Sequence, residues 1–181
     1  MRNNHWAFIF FVFLLTSFAP PPLRAQDAVL VQSCADCHGE KGIAPSGLWP
    51  NLAGQKRGYL VSQIKAFREG RRKDPLMQPV VQSLSDKQIA RLADYYTHLP
   101  VPESRLEQVN ELGRHVSARC QSCHGRDGVT VNTEWPNLAG QNAEYLKKQL
   151  FNYRSGERKH LLMQVIANEL TEEEIEAVAE Y

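Results

Sequence analysis

The segment Cys34-Ala35-Asp36-Cys37-His38-Gly39 recurs 86 residues later as Cys120-Gln121-Ser122-Cys123-His124-Gly125. The same shift superposes Trp49-Pro50-Asn51-Leu52-Ala53-Gly54-Gln55 on Trp135-Pro136-Asn137-Leu138-Ala139-Gly140-Gln141 without a gap. Tyr59-Leu60 falls on Tyr145-Leu146, Arg72-Lys73 on Arg158-Lys159, and Leu76-Met77-Gln78 on Leu162-Met163-Gln164. Between residues 34 and 95, 26 of 62 positions are identical to their partners, so the chain is a duplication of a unit of about 80 residues.

The register divides the chain into a first domain at 26–98, a linker at 99–108 and a second domain at 109–181. Pro100, Pro102 and the charged stretch from Glu103 to Glu107 mark the linker. Ahead of the first domain, Arg2 precedes an uncharged run from Trp6 to Ala19, and Pro20-Pro21-Pro22 follow it. That run is too short for a membrane span and suits the core of a signal peptide over residues 1–25. A cut after Ala25 would leave Gln26 first, although Leu23 departs from the small residue favoured three positions before a cut.

The formal charge is only +1, from 21 basic and 20 acidic side chains, which excludes the basic excess of a nucleic-acid binder. The distribution is uneven. Residues 26–98 hold 10 basic and 7 acidic groups, whereas 99–181 hold 9 and 13, so the halves can present different faces to different partners.

Each unit reads as helical, and the fold class expected is all-α. Leu60, Ile64 and Phe67 follow Tyr59 at helical spacing, and Leu146, Leu150 and Tyr153 repeat the stripe, with Gly70 and Gly156 as C-terminal caps. A closing helix is expected from Ser85, with Gln88 completing a capping box and Ile89, Leu92, Ala93 and Tyr96 on one face. Its copy starts at Thr171 with Glu174 and carries Ile175, Val178 and Ala179. Residues matching Tyr96 to Leu99 are missing, so either the sequence is incomplete or this helix is of marginal length.

A unit this small buries too little apolar surface to be comfortable alone, and four cysteines in an exported chain would suggest disulfides. The spacing points elsewhere, because Cys-x-x-Cys-His is the pattern of covalent c-type haem attachment. Two thiols three positions apart reach the two vinyl groups of one porphyrin, and the adjoining His38 or His124 then lies under the iron. Two other arrangements use the same thiols: one zinc site from all four, or two local redox disulfides. Zinc leaves both histidines unexplained, and a thioredoxin-like disulfide needs a βαβ context that the pattern lacks.

Beyond Met1 and its leader the chain has two methionines, Met77 and Met163, each 43 positions after the first Cys of its unit. Matched register in a haem-binding unit marks both as candidate axial ligands, and a soft thioether favours ferrous iron and a raised potential. His160 and His115 have no repeat-related copy and His98 ends the first unit's last helix, so all three read as surface residues.

With both C-x-x-C-H sites, both W-P-N-L-A-G-Q segments and both Met segments, the sequence resembles the dihaem cytochrome c4 family of exported bacterial electron carriers. The resemblance covers the chain after its leader. It implies two tandem cytochrome c domains and two covalently bound haem c groups. It further implies thioether bonds from Cys34, Cys37, Cys120 and Cys123, with His38/Met77 and His124/Met163 as axial pairs. A periplasmic location is implied too, in some members with peripheral membrane association. By the same similarity, the carbonyls of Pro50 and Pro136 accept the Nδ1 protons of His38 and His124. Leu52 and Leu138 line the pockets, and Gly42 and Gly128 permit tight turns. Trp49, Trp135, Tyr59 and Tyr145 serve either the haem edge or simple packing. Arg68, Arg72, Lys73, Arg154, Arg158 and Lys159 read as solvated helix ends, with propionate pairing as the competing role.

The function expected is an electron carrier without a catalytic residue, whose redox partners are a quinol-oxidising complex as donor and a terminal oxidase as acceptor. Two other readings use the same residues: a haem enzyme or sensor with one labile Met, and the electron-accepting subunit of a larger dehydrogenase.

Overall fold

The computed structural model describes residues 25–103 and 110–181. The leader expected at 1–25, apart from Ala25, and half of the linker, residues 104–108, lie outside them. Among the described residues all regular structure is helical, and no helix is long and apolar enough to cross a membrane.

The first half contains α1 (Ala25–His38), α2 (Arg57–Arg68), α3 (Met77–Val81) and α4 (Asp86–Thr97). The second contains α5 (Glu111–Ser117), α6 (Gln121–His124), α7 (Ala143–Ser155), α8 (Leu161–Glu169) and α9 (Glu172–Glu180). The continuous α1 thus has two short helices as its counterpart.

Local chemistry sets the boundaries. Ser85 caps α4 and Thr171 caps α9, each in a complete capping box with Gln88 or Glu174. Gly156 takes the left-handed conformation as the C-cap of α7, as expected, whereas α2 is capped one residue earlier in the register, by Glu69, and Gly70 follows with φ +71.

In the first domain α4 packs on α1 and α2, burying Val31, Leu60, Leu92, Ala93 and Tyr96. In the second, α9 packs on α5 and α7 around Val116, Leu170 and Ile175. Ala177 and Ala179 are buried there, and Val178 is only partly covered. The loop between the first and second helical segments of each domain turns at Gly42 and Gly128. Their φ values of +68 and +69 allow one carbonyl to receive two backbone N–H groups, Leu52 and Ala53 in the first case, Leu138 and Ala139 in the second.

Candidate functional site

The repeated proline holds the repeated histidine. His38 Nδ1 lies 2.9 Å from Pro50 O, and His124 Nδ1 lies 2.9 Å from Pro136 O. A carbonyl only accepts, so Nδ1 carries the proton and Nε2 keeps its lone pair. Burial pushes both imidazoles below their ordinary pKa, against the opposing effect of the proline bonds. A neutral imidazole with its other nitrogen anchored is the state a metal ligand requires. Asn51 Oδ1 accepts from Ala44 N at 2.8 Å and Asn137 Oδ1 from Thr130 N at 3.1 Å, tying each proline loop to the preceding turn.

A continuous cavity of about 1510 Å³ is lined by both histidines, Cys34, Cys37, Cys120, Cys123, Met77 and Met163. Leu52, Leu138, Trp49 and Trp135 complete its apolar walls. A single small-molecule pocket spans roughly 300–1,000 Å³, so this volume suits two flat groups. No disulfide joins any of the four cysteines, and burial pushes the unattached thiols of Cys34 and Cys120 up in pKa. Among the described residues no three Cys, His, Asp or Glu side chains converge on one point, so the four-thiolate zinc site has no geometry here.

The methionines sit at the starts of matched helices, held by different caps. Asp74 Oδ1 accepts from Leu76 N at 3.0 Å and Met77 N at 3.1 Å. In the second domain His160 Nδ1 accepts from Met163 N at 3.3 Å, so this exposed histidine has a local structural task. His115 is exposed, and His98 bonds Asp94 O at 2.6 Å at the end of α4.

The duplicated W-P-N-L-A-G-Q segments also join the domains. Gln141 Oε1 accepts from Asn51 N at 2.7 Å and Gln141 Nε2 donates to Asn51 O at 2.9 Å. The mirror pair repeats this: Gln55 Oε1 accepts from Asn137 N at 2.8 Å and Gln55 Nε2 donates to Asn137 O at 2.9 Å. Tyr59 N donates to Thr133 O at 2.9 Å across the same seam, and Gly58 leaves room for Glu134, whose carboxylate would clash with any Cβ there.

Two arginines expected at solvated helix ends are instead at this seam. Arg72 donates to Gln63 Oε1 at 2.8 Å in its own domain, and to Tyr145 OH at 2.9 Å and Gln149 Oε1 at 2.8 Å in the other. Arg158 mirrors it, with bonds of 2.8 Å to Gln149, Tyr59 and Gln63. Each guanidinium also stacks on a ring of its own domain, Arg72 on Phe67 at 4.4 Å and Arg158 on Tyr153 at 4.6 Å. Arg158 is only 6% exposed. Burial opposes its charge, but the phenols of Tyr59, Tyr145 and Tyr153 hold its pKa above the ordinary value. Neither arginine forms an ion pair with an acid among the described residues. Docking, which no local pattern encodes, is what removes them from solvent. Arg68 and Arg154 are also engaged, through the carbonyls of Leu84 and Leu170. Lys73 and Lys159 are exposed, as expected.

Paired cysteines, an anchored imidazole and a methionine lining the same cavity, in each of two small helical domains, define a tandem c-type cytochrome. A family model described as cytochrome c oxidase, cbb3-type, subunit III, matches twice, over residues 21–95 and 107–181. The chain is 34% identical to the thiosulfate dehydrogenase electron acceptor of Stutzerimonas stutzeri, over 100% of this chain and 95% of that one. It is 32% identical to cytochrome c4 of Pseudomonas aeruginosa, over 82% and 81%. The crystal structure of reduced recombinant cytochrome c4 from Pseudomonas stutzeri superposes with a TM-score of 0.77 at 27% identity, covering 86% of this chain and 95% of that one. The chain belongs to the dihaem cytochrome c4 family. It is an electron-transfer protein with two covalently bound haem c groups.

Proposed function

We propose that His38 with Met77, and His124 with Met163, are the axial pairs, and that Cys34, Cys37, Cys120 and Cys123 carry the thioether bonds. The observation that carries this reading is the pair of Nδ1–proline bonds, which leave each Nε2 available in a cavity that also contains the matched methionine. The chemistry supplied by the bound groups is reversible one-electron exchange between ferric and ferrous iron. The chain's own residues supply orientation: the prolines fix the imidazoles, Asp74 and His160 hold the methionine segments, and apolar walls exclude water. Arg158 is a buried cation and Arg72 a half-buried one, neither with an acidic side chain beside it, a costly arrangement unless an anion compensates it. Carboxylates carried by the porphyrins fit that need.

With both axial positions filled, the chain passes electrons without binding a substrate at iron. The partners proposed are a quinol-oxidising complex and a terminal oxidase, in the periplasm, in keeping with the leader-like N-terminal run. A second reading makes the chain the acceptor subunit of a dehydrogenase. Full-length similarity to a protein named as a thiosulfate dehydrogenase electron acceptor favours it. Co-purification with a larger subunit separates the two.

Carbon monoxide added to the fully reduced protein tests the ligand sets. Absence of binding at neutral pH supports two six-coordinate irons. Rapid binding by about half the haem overturns one axial pair and favours an enzyme or sensor.

A further inference from the structure

The two methionine-bearing faces differ in charge. Lys65 at 2.6 Å and Arg68 at 2.7 Å neutralise Asp86 at the start of α4. At the matching place, α9 starts with Glu172 and Glu173. Phe151 replaces Lys65 and packs into the core, and Arg154 turns to the carbonyls of Ala167 and Leu170. Glu169, Glu172 and Glu173 are exposed and form no ion pair among the described residues. They continue an apolar stripe on α8, where Leu161 is 83%, Leu162 49% and Val165 51% exposed. Leu161, Val165 and Glu169 follow one another at four-residue spacing, so they share a helix face. Lys159 stands at the other end, as Lys73 does in the first domain, so the acidic end is what distinguishes the second face.

We propose that this face of the second domain is a docking surface for a redox protein with an apolar centre and a lysine- or arginine-rich rim. Charge complementarity selects that occupant: an anionic membrane surface or an acidic partner would be repelled by the three glutamates. An apolar centre with a charged border suits a small, short-lived electron-transfer contact. Because Met163 lies on the same helix, docking there places the partner beside the second haem site. This rests on the carrier reading above.

The test uses the reduced holoprotein and ferric mammalian mitochondrial cytochrome c, whose haem edge is ringed by lysines. Each productive encounter moves one electron from this chain to the probe's iron, with no bond formed or broken. Stopped-flow rates are expected to fall several-fold at low salt in Glu172→Gln/Glu173→Gln, with the gap closing as salt screens the charges. Leu161→Ser/Val165→Ser, at exposed positions that the fold tolerates, is expected to slow transfer at every ionic strength. Glu40→Gln/Glu103→Gln, an equal charge change elsewhere, is expected to match the wild type.

Wild-type rates in both face variants overturn the proposal, as does equal slowing in the Glu40/Glu103 control. Light scattering that shows self-association through the same glutamates identifies a second copy as occupant and also overturns it. Failure to reduce the probe, with normal spectra and carbon monoxide resistance, overturns the docking face and leaves the carrier reading intact.

Discussion

Arg72 crosses the domain boundary to donate to the phenol of Tyr145 at 2.9 Å, and Arg158 returns the contact to Tyr59 at 2.8 Å. Both arginines share the same two glutamine acceptors, Gln63 and Gln149. Removing either one therefore disturbs both domains. Arg72→Leu and Arg158→Leu are each expected to lower the two haem potentials together, because a positive charge shielded from solvent disfavours the ferric state. In a double-mutant cycle the pair should couple by about 0.5–3 kcal/mol, measured by redox titration and denaturant unfolding.

Gln141→Ala and Gln55→Ala remove mirror-related contacts. Each leaves a backbone N–H, of Asn51 or Asn137, without its acceptor. The expected cost is about 1–3 kcal/mol apiece, and the two values should agree closely because the geometries do. Differential scanning calorimetry checks both magnitude and equality.

Met77→Ala and Met163→Ala address the axial pairs one at a time. Each is expected to lower the potential of one haem and to open that haem alone to carbon monoxide. An unchanged titration and ligand response in either variant would remove that methionine from the iron.

Burial raises the Tyr153 phenol to about 12 from its ordinary 10. Between those values the native state holds a proton that the unfolded chain has released, so the tyrosine's contribution to stability falls as pH rises from 10 towards 12 and levels off above. Tyr153→Phe should flatten that part of the stability profile, read by thermal melts across alkaline pH.

Features written in neighbouring residues are legible in the sequence. Both capping boxes and the left-handed Gly156 rest on contacts a few positions apart. The proline–histidine bonds span 12 residues and follow from family resemblance rather than from local pattern. The seam follows from neither. Asn51 and Gln141 are 90 positions apart, and neither shows a hydrophobic stripe that would announce an interface. The arginines read as solvated because a charge at a helix end ordinarily is. One signal is present: Asn51, Gln55, Tyr59, Gln63 and Arg72 are all identical in both copies, although several are polar and need no identity for a soluble surface. Polar identity between repeats can mean that the repeats touch each other.

The crossed glutamine–asparagine contacts form an isologous patch of the kind that lets one surface pair with itself about a two-fold axis. Two separate copies would hold that patch together only above some concentration. Joined in one polypeptide, they meet at an effective concentration set by the tether rather than by the amount of protein in solution. The spacing between the two redox centres therefore does not depend on how dilute the protein becomes.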